Sequence, residues 1–440
     1  MSGIPSVRVL EAIKPENSGT GEDVLAYRGL ETAVQKYTST NAQRSSEVWD
    51  SEPDSLEELS KAKQLASEYF LRTADKVVNS NSSNRDLWAD RFTLATTELY
   101  GEPDVQEATR LITIEYNTLL GLKGNPAISQ EHVSFLLDRY RPIINEIDAE
   151  APESIQAQEE LEKAAIQEYG KAIIDKYKPL FDLVDEADKS EFNVTNLHEL
   201  FTNALNWLIE NDDPEWKKWE VVESDGTSLS VSASSRQIKI ATGREPASLI
   251  DTKGLIAHEL LVHALRGKNG YKTGDKKLAT GLAGYLDTEE GLGTLSEEAV
   301  SGELPNKVYD RYLDIALALG TVDGIQRTRK ELFQISFARQ LVQEQVNGTF
   351  NKIGDSTLER KVWRHIDRIY RGGPGDDLGS KQVIFTKDIA YYIGYKQMAE
   401  YITNQLANNK SATEIFNYLS QAKFDPNNSQ HVERVINFKT

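Results

Sequence analysis

Gly254-Leu255-Ile256-Ala257-His258-Glu259-Leu260-Leu261-Val262-His263-Ala264-Leu265-Arg266 is an apolar run broken by two histidines, with a glutamate directly after the first. The chain holds only six histidines, so two of them five residues apart stand out. The surrounding pattern, about 247–267, reads as a helix. By contrast, His198-Glu199 has no second histidine nearby and reads as ordinary helix surface. His132, His365 and His431 carry no partner pattern.

Two imidazoles and an adjacent glutamate on one helix form a pattern of metal hydrolysis, in which the imidazoles bind the ion and the glutamate acts as general base. That pattern normally sets its histidines at i and i+4. Here they stand at i and i+5, roughly 140° apart on a regular helix of 3.6 residues per turn. A π-type turn, with its i→i+5 repeat, brings the rings back into line. The spacing therefore predicts a π-bulge or equivalent widening between His258 and His263. A third ligand is sought downstream, in Asp287-Thr288-Glu289-Glu290-Gly291-Leu292. This reads as a helix start over 288–301, with Asp287 or Thr288 as N-cap and Glu289 or Glu290 in the first turn. Two histidines and one carboxylate leave a position open for water, the arrangement of catalytic zinc.

Working outward, helical patterns fill about 55–74, 86–99, 103–121, 129–149, 152–187 and 195–211 before the site. They resume at about 305–319, 325–346, 355–370, 388–408 and 412–421 after it, with a break at Gly372-Gly373-Pro374-Gly375. Between the two sets, 216–242 carries short strands at Trp219–Val222, Ser228–Ser232 and Gln237–Thr242, separated by Asp225-Gly226 and Ser234-Ser235 turns. The expectation is a mainly α chain with a small antiparallel β-sheet, an α+β fold. Its domains read as a polar segment over 1–54, a helical region over 55–194 and a catalytic domain over 195–440.

The 440 residues carry 50 Lys+Arg against 69 Asp+Glu, a net charge of −19, which argues against a nucleic-acid phosphate binder. With no cysteine, disulfides, thiolate metal sites and cysteine nucleophiles are excluded. No apolar stretch has signal-peptide or membrane-span length, so the expected location is cytoplasmic, with no membrane partner.

The order His258-Glu259-x-x-x-His263, Leu265-Arg266, Asn269-Gly270, Gly281-Leu282-x-Gly284-Tyr285 and Thr288-Glu289-Glu290-Gly291-Leu292 resembles the tyrosine carboxypeptidase family. These are microtubule-associated detyrosinating enzymes and their bacterial relatives, known for a QEGLA motif. Phe385-Thr386-Lys387-Asp388-x-x-Tyr391-x-x-Gly394, preceded by Arg371-Gly372, is similar to the family's C-terminal motif. Leu99-Tyr100-Gly101-x-Pro103 resembles a segment of its N-terminal half. The resemblance implies His258, His263 and Glu290 as ligands of one Zn2+ per chain, and Glu259 as catalytic base. It also implies a thermolysin-like core that grips substrate beside a strand edge. The expected partner is a peptide or protein C-terminus, from which one residue, a tyrosine in the family, is removed. Two positions depart from the motif: Glu289 stands where the family has Gln, and Gly293 where it has Ala. A chain at −19 is also a poor match for the acidic tubulin tails that eukaryotic members are implied to trim. A local basic groove could come from Arg327, Arg329, Lys330, Arg364, Arg368, Arg371 and Lys387.

Arg266 and Arg371 are candidates to clamp a terminal carboxylate through bidentate hydrogen bonds. Lys387 is a further substrate-binding candidate, and Tyr391 could donate its hydroxyl to the developing oxyanion. The plainer readings are surface ion pairs for the cations and helix packing for the tyrosine. Two other functions share the metal pattern. A non-haem iron oxygenase also uses two His and one carboxylate, but has no use for the glutamate after the first His. A non-catalytic interaction scaffold would carry the metal structurally, but an open position beside an intact base argues against it.

Overall fold

The computed structural model describes residues 89–437 apart from 91, 95, 98, 99, 145–152, 227, 283, 303–306, 351–354 and 371–381. The expected 1–54 segment, the helical pattern at 55–74, Arg371 and the Gly372–Gly375 break lie outside the described residues. No helix among the described residues is long and apolar enough to cross a membrane.

Packing sorts the chain into two units, each assembled from separated stretches. Of the described residues, one takes those up to Ile144 together with those of 309–389, and the other takes those of 153–308 together with those from Ala390 onward. The boundary expected at 194/195 falls inside the second unit. The cause is packing: Tyr169, Ile173, Leu180 and Phe181 on the helix Glu153–Glu186 share one core with Leu197, Phe201 and Leu205 on the helix Val194–Asn211.

In the first unit, helices Val105–Gly121, Gln130–Ile144, Arg329–Val346 and Asp355–Ile369 pack their apolar faces together. The Arg339 guanidinium is buried among Glu115, Asp310 and Asp314 at 2.9–3.0 Å. Ser336 and His365 also bond Asp314, at 2.9 and 2.8 Å. Several cations of the expected basic groove are paired in this unit: Arg327 with Asp323, Arg329 with Asp367 and Arg368 with Asp388.

The second unit carries the β-structure. β1 (Glu191–Phe192) pairs antiparallel with β5 (Ala247–Ser248). β2 (Glu220–Ser224), β3 (Ser230–Ser232) and β4 (Gln237–Ala241) form a three-stranded sheet in the order β2-β4-β3. This corrects the expected antiparallel sheet: β4 pairs antiparallel with β3 but parallel with β2. β4 takes the centre because Ile238, Ile240 and Ala241 are its buried positions, whereas β2 has none fully buried. The Asp225-Gly226 turn thus leads to a crossover rather than a hairpin, and the Ala233–Arg236 turn closes the one hairpin of this sheet.

From β5 the chain enters a continuous helical stretch. Ser248 and Asp251 form a capping box that satisfies the first amides of Leu249–Leu255. Residues Ile256–Ala264 are then π-helical, and Leu265–Lys272 return to α geometry. The helix Leu286–Ser301 packs against both the π-helical turns and the long helix Glu153–Glu186. The helix Ile389–Ala407 crosses it at a pair of glycines, since a Cβ at Gly291 would overlap the backbone of Gly394.

Asp388 gives the first unit a pH-dependent element. Burial by itself would raise its carboxyl, but Arg368, at 2.8 and 3.0 Å, and Arg311, at 3.7 Å, hold it well below the usual carboxylate range. Its unfolded value is about 3.9, so its ionised form stabilises the fold above about pH 4, and that stabilisation falls away in more acid solution. Asp388→Asn should therefore cost about 2 kcal/mol at neutral pH, and progressively less as the pH drops below about 4. Denaturant midpoints of the two proteins across that range measure the effect.

Candidate active site

The wide turns put His258 and His263 on one side of their helix. Their rings lie 4.8 Å apart, centroid to centroid, at an interplanar angle of 76°. Each Nε2 is 3.9 Å from Oε2 of Glu290, which projects from the start of the second turn of Leu286–Ser301. That helix begins two residues before the expected 288, with Tyr285 rather than Asp287 or Thr288 at its N-cap. One ligand atom from each of the three residues falls within 4.8 Å of the others. A tetrahedral zinc at ordinary bond lengths needs donors about 3.4 Å apart, so a small inward movement closes the set.

The far sides of both rings support this fit. Nδ1 of His258 faces Oε2 of Glu297 at 3.2 Å, and Nδ1 of His263 faces Oε1 of Glu289 at 2.9 Å. A carboxylate partner fixes the proton on Nδ1, which turns the Nε2 lone pair of each ring toward Glu290. The ring of His258 sits so close to the Glu290 helix that a Cβ at Gly293 would come within 2.7 Å of Nε2. That contact accounts for Gly at the position where the resembled motif has Ala.

Glu259 is buried next in sequence to His258, with Oε2 lacking any hydrogen-bond partner among the described residues. Burial raises its pKa, both histidines oppose the rise, and Glu290 adds to it. A buried carboxylate with an unengaged oxygen and an upward-shifted pKa is suited to accepting a proton.

Glu289 serves a different purpose from its neighbour. It is 2% exposed and meets Arg266 Nη1, Lys423 Nζ at 2.6 Å and the His263 ring. Burial would raise its carboxyl, but Lys423 and Arg266 outweigh that and hold it well below the usual range. This corrects the reading of Arg266 as a substrate clamp. Its guanidinium is fully buried and spent inside the protein, with Nε donating to the Ala422 carbonyl at 2.8 Å and Nη2 to the Phe424 carbonyl at 2.6 Å.

The remaining expected residues fall in different places. Lys387 belongs to the first packing unit and is half-buried, next to Asp388. Tyr391 is half-buried on the helix Ile389–Ala407, one turn before the Gly394 that abuts Gly291. Sequence reasoning missed Glu297 and Lys423 altogether. Glu297 stands two helical turns beyond Glu290, a spacing that could have placed it on the same face. Lys423 is 134 residues from Glu289, and no local pattern announces it.

Residues 153–322 match the family described as microtubule-associated tyrosine carboxypeptidase. The matched stretch contains both histidines, Glu259 and Glu290, as well as Glu289 and Glu297. No curated protein and no solved structure matches the chain.

Glu289→Gln, which installs the residue of the resembled motif, leaves Arg266 and Lys423 buried without their carboxylate. It should destabilise the fold by about 3 kcal/mol. Adding Lys423→Met should restore part of that loss, and chemical-denaturation midpoints of the single and double variants provide the comparison.

Proposed function

We propose that the chain is a zinc-dependent carboxypeptidase that removes one residue from the C-terminus of a peptide or protein. The observation that carries this reading is the paired orientation of the two imidazoles. Each presents Nε2 to Glu290 while a carboxylate holds its Nδ1, and Glu259 stands buried beside them. His258, His263 and Glu290 would hold the metal, which when bound would acidify a water and polarise the scissile carbonyl.

Around that centre, Glu259 takes the proton of the attacking water and delivers it to the departing amine. Its burial raises its affinity for that proton. Glu289 and Glu297 keep the imidazole tautomers fixed through the cycle. Tyr391 is our candidate donor to the carbonyl oxygen as negative charge develops there. Among the described residues β3 pairs with β4 alone and packs against the π-helical turns, leaving an edge on which an extended peptide can lie. This edge supports a thermolysin-like arrangement of the core.

The matched family's description supports removal of a C-terminal residue, with tyrosine as the first one to test. An acidic tubulin-like tail is not part of the proposal, because a net charge of −19 would repel it. Glu259 also favours hydrolysis over iron-dependent oxygenation, where a buried base at this position has no role.

Protein purified without chelator should contain about one zinc per chain. Glu259→Gln should keep that metal yet lose at least about a hundredfold in turnover on peptides with free C-termini. His263→Ala should lose the metal itself. Metal analysis and mass spectrometry of a peptide library read these outcomes, and purified protein without stoichiometric zinc would overturn the reading.

A further inference from the structure

With Arg266 sealed around Glu289, the site needs another cation if it is to receive a terminal carboxylate. The carboxylates around the metal position, Glu259, Glu290 and Glu297, would repel one. Other basic residues of this unit are engaged within the protein: Lys423 with Glu289, Lys268 with Asp212 and Lys253 with Asp185.

Arg244 differs from them. It lies three residues past β4, in the connection that leads through β5 into the metal helix, and its amide donates to the Ala241 carbonyl at 3.2 Å. Its side chain is half-buried, and Nε is enclosed with no hydrogen-bond partner. Among the described residues no carboxylate forms an ion pair with this guanidinium. Its charge is nonetheless felt by carboxylates on three elements: Glu259 on the π-helical turns, Glu297 on the Glu290 helix and Asp251 at the start of the metal helix. Burial lowers its pKa and those three carboxylates offset only part of the fall, yet an arginine stays charged throughout. A half-buried guanidinium that is paired with none of the acids around it, with a bond still unmade at Nε, matches a group whose partner arrives with the substrate.

We propose that Arg244 binds the free α-carboxylate of the substrate's last residue. The guanidinium fork matches a carboxylate in two parallel hydrogen bonds, which fixes the position of the final peptide bond as well as holding its charge. Arg244 therefore sets the distance from chain end to scissile carbonyl and selects ends over internal bonds. The assignment rests on the carboxypeptidase reading.

The test uses full-length protein loaded with zinc, with two peptides identical except that one ends in a carboxylate and the other in an amide. On a Glu259→Gln background, which binds without turnover, the carboxylate peptide should bind about 10- to 100-fold more tightly than the amide. Adding Arg244→Gln should abolish that ratio by weakening the carboxylate peptide alone, whereas Arg244→Lys should retain part of it. Zinc content equal to that of the parent shows that each variant keeps its site. A ratio that survives Arg244→Gln, or equal weakening of both peptides, would overturn the anchor while trimming by the wild type leaves the carboxypeptidase reading standing. Absence of C-terminal trimming by the wild type would remove both.

Discussion

Two imidazoles five residues apart must reach one point in space, and the rest of the site follows from how the backbone meets that demand. A regular helix would splay them. The π-helical turns from Ile256 to Ala264 supply the missing phase, within a stretch whose side chains are almost wholly buried. Such turns have poorer packing along their own axis than α turns, so they need support from outside. That support comes from the helix Leu286–Ser301, which lies against them and brings Glu290, Glu289 and Glu297 to the two rings. Its own position is set in turn by the contact of Gly291 with Gly394.

A second constraint is electrostatic. The centre gathers carboxylates in a buried setting, where an uncompensated charge is expensive. Each is handled differently. Glu289 is neutralised by two cations, Glu297 faces an imidazole, and Glu259 is left with an unengaged oxygen. These differences give the acids separate roles. The fully compensated one is fixed in its ionised form, and the one without a bond remains able to change protonation. Arg244 extends the same logic to a cation, since the carboxylates of Glu259, Glu297 and Asp251 act on it without pairing to it.

Much of this was legible in the chain because its chemistry is local. The interval from His258 to His263 dictated a widened helix, and the acid pair before Gly291 marked the neighbourhood of the carboxylate that faces both imidazoles. Arg266 misled for an instructive reason. A cation three residues after His263 faces the same side of the helix, and sequence cannot tell whether that side opens to substrate or to a buried acid. The sheet misled for another: turn signals separate strands but do not say which strand carries enough apolar surface to be central, and Ile238 and Ile240 gave β4 that place. Lys423 was beyond reach because its partner is fixed by packing of distant segments.

That distance has a consequence for how the protein comes into being. Glu289 waits 134 residues for Lys423, and Arg266 waits for the carbonyls of Ala422 and Phe424. All three lie beyond the stretch that matches the family, 153–322. During synthesis from the N-terminus, the histidines and Glu290 are present long before the groups that tie down their supporting carboxylate. The two histidines and Glu290 thus precede in the chain the groups that hold Glu289 in place. A nascent or C-terminally shortened molecule carries the entire recognisable motif without the framework that holds it in register. Residues 422–424 thus belong to the framework of the site although they lie a hundred residues past the matched stretch.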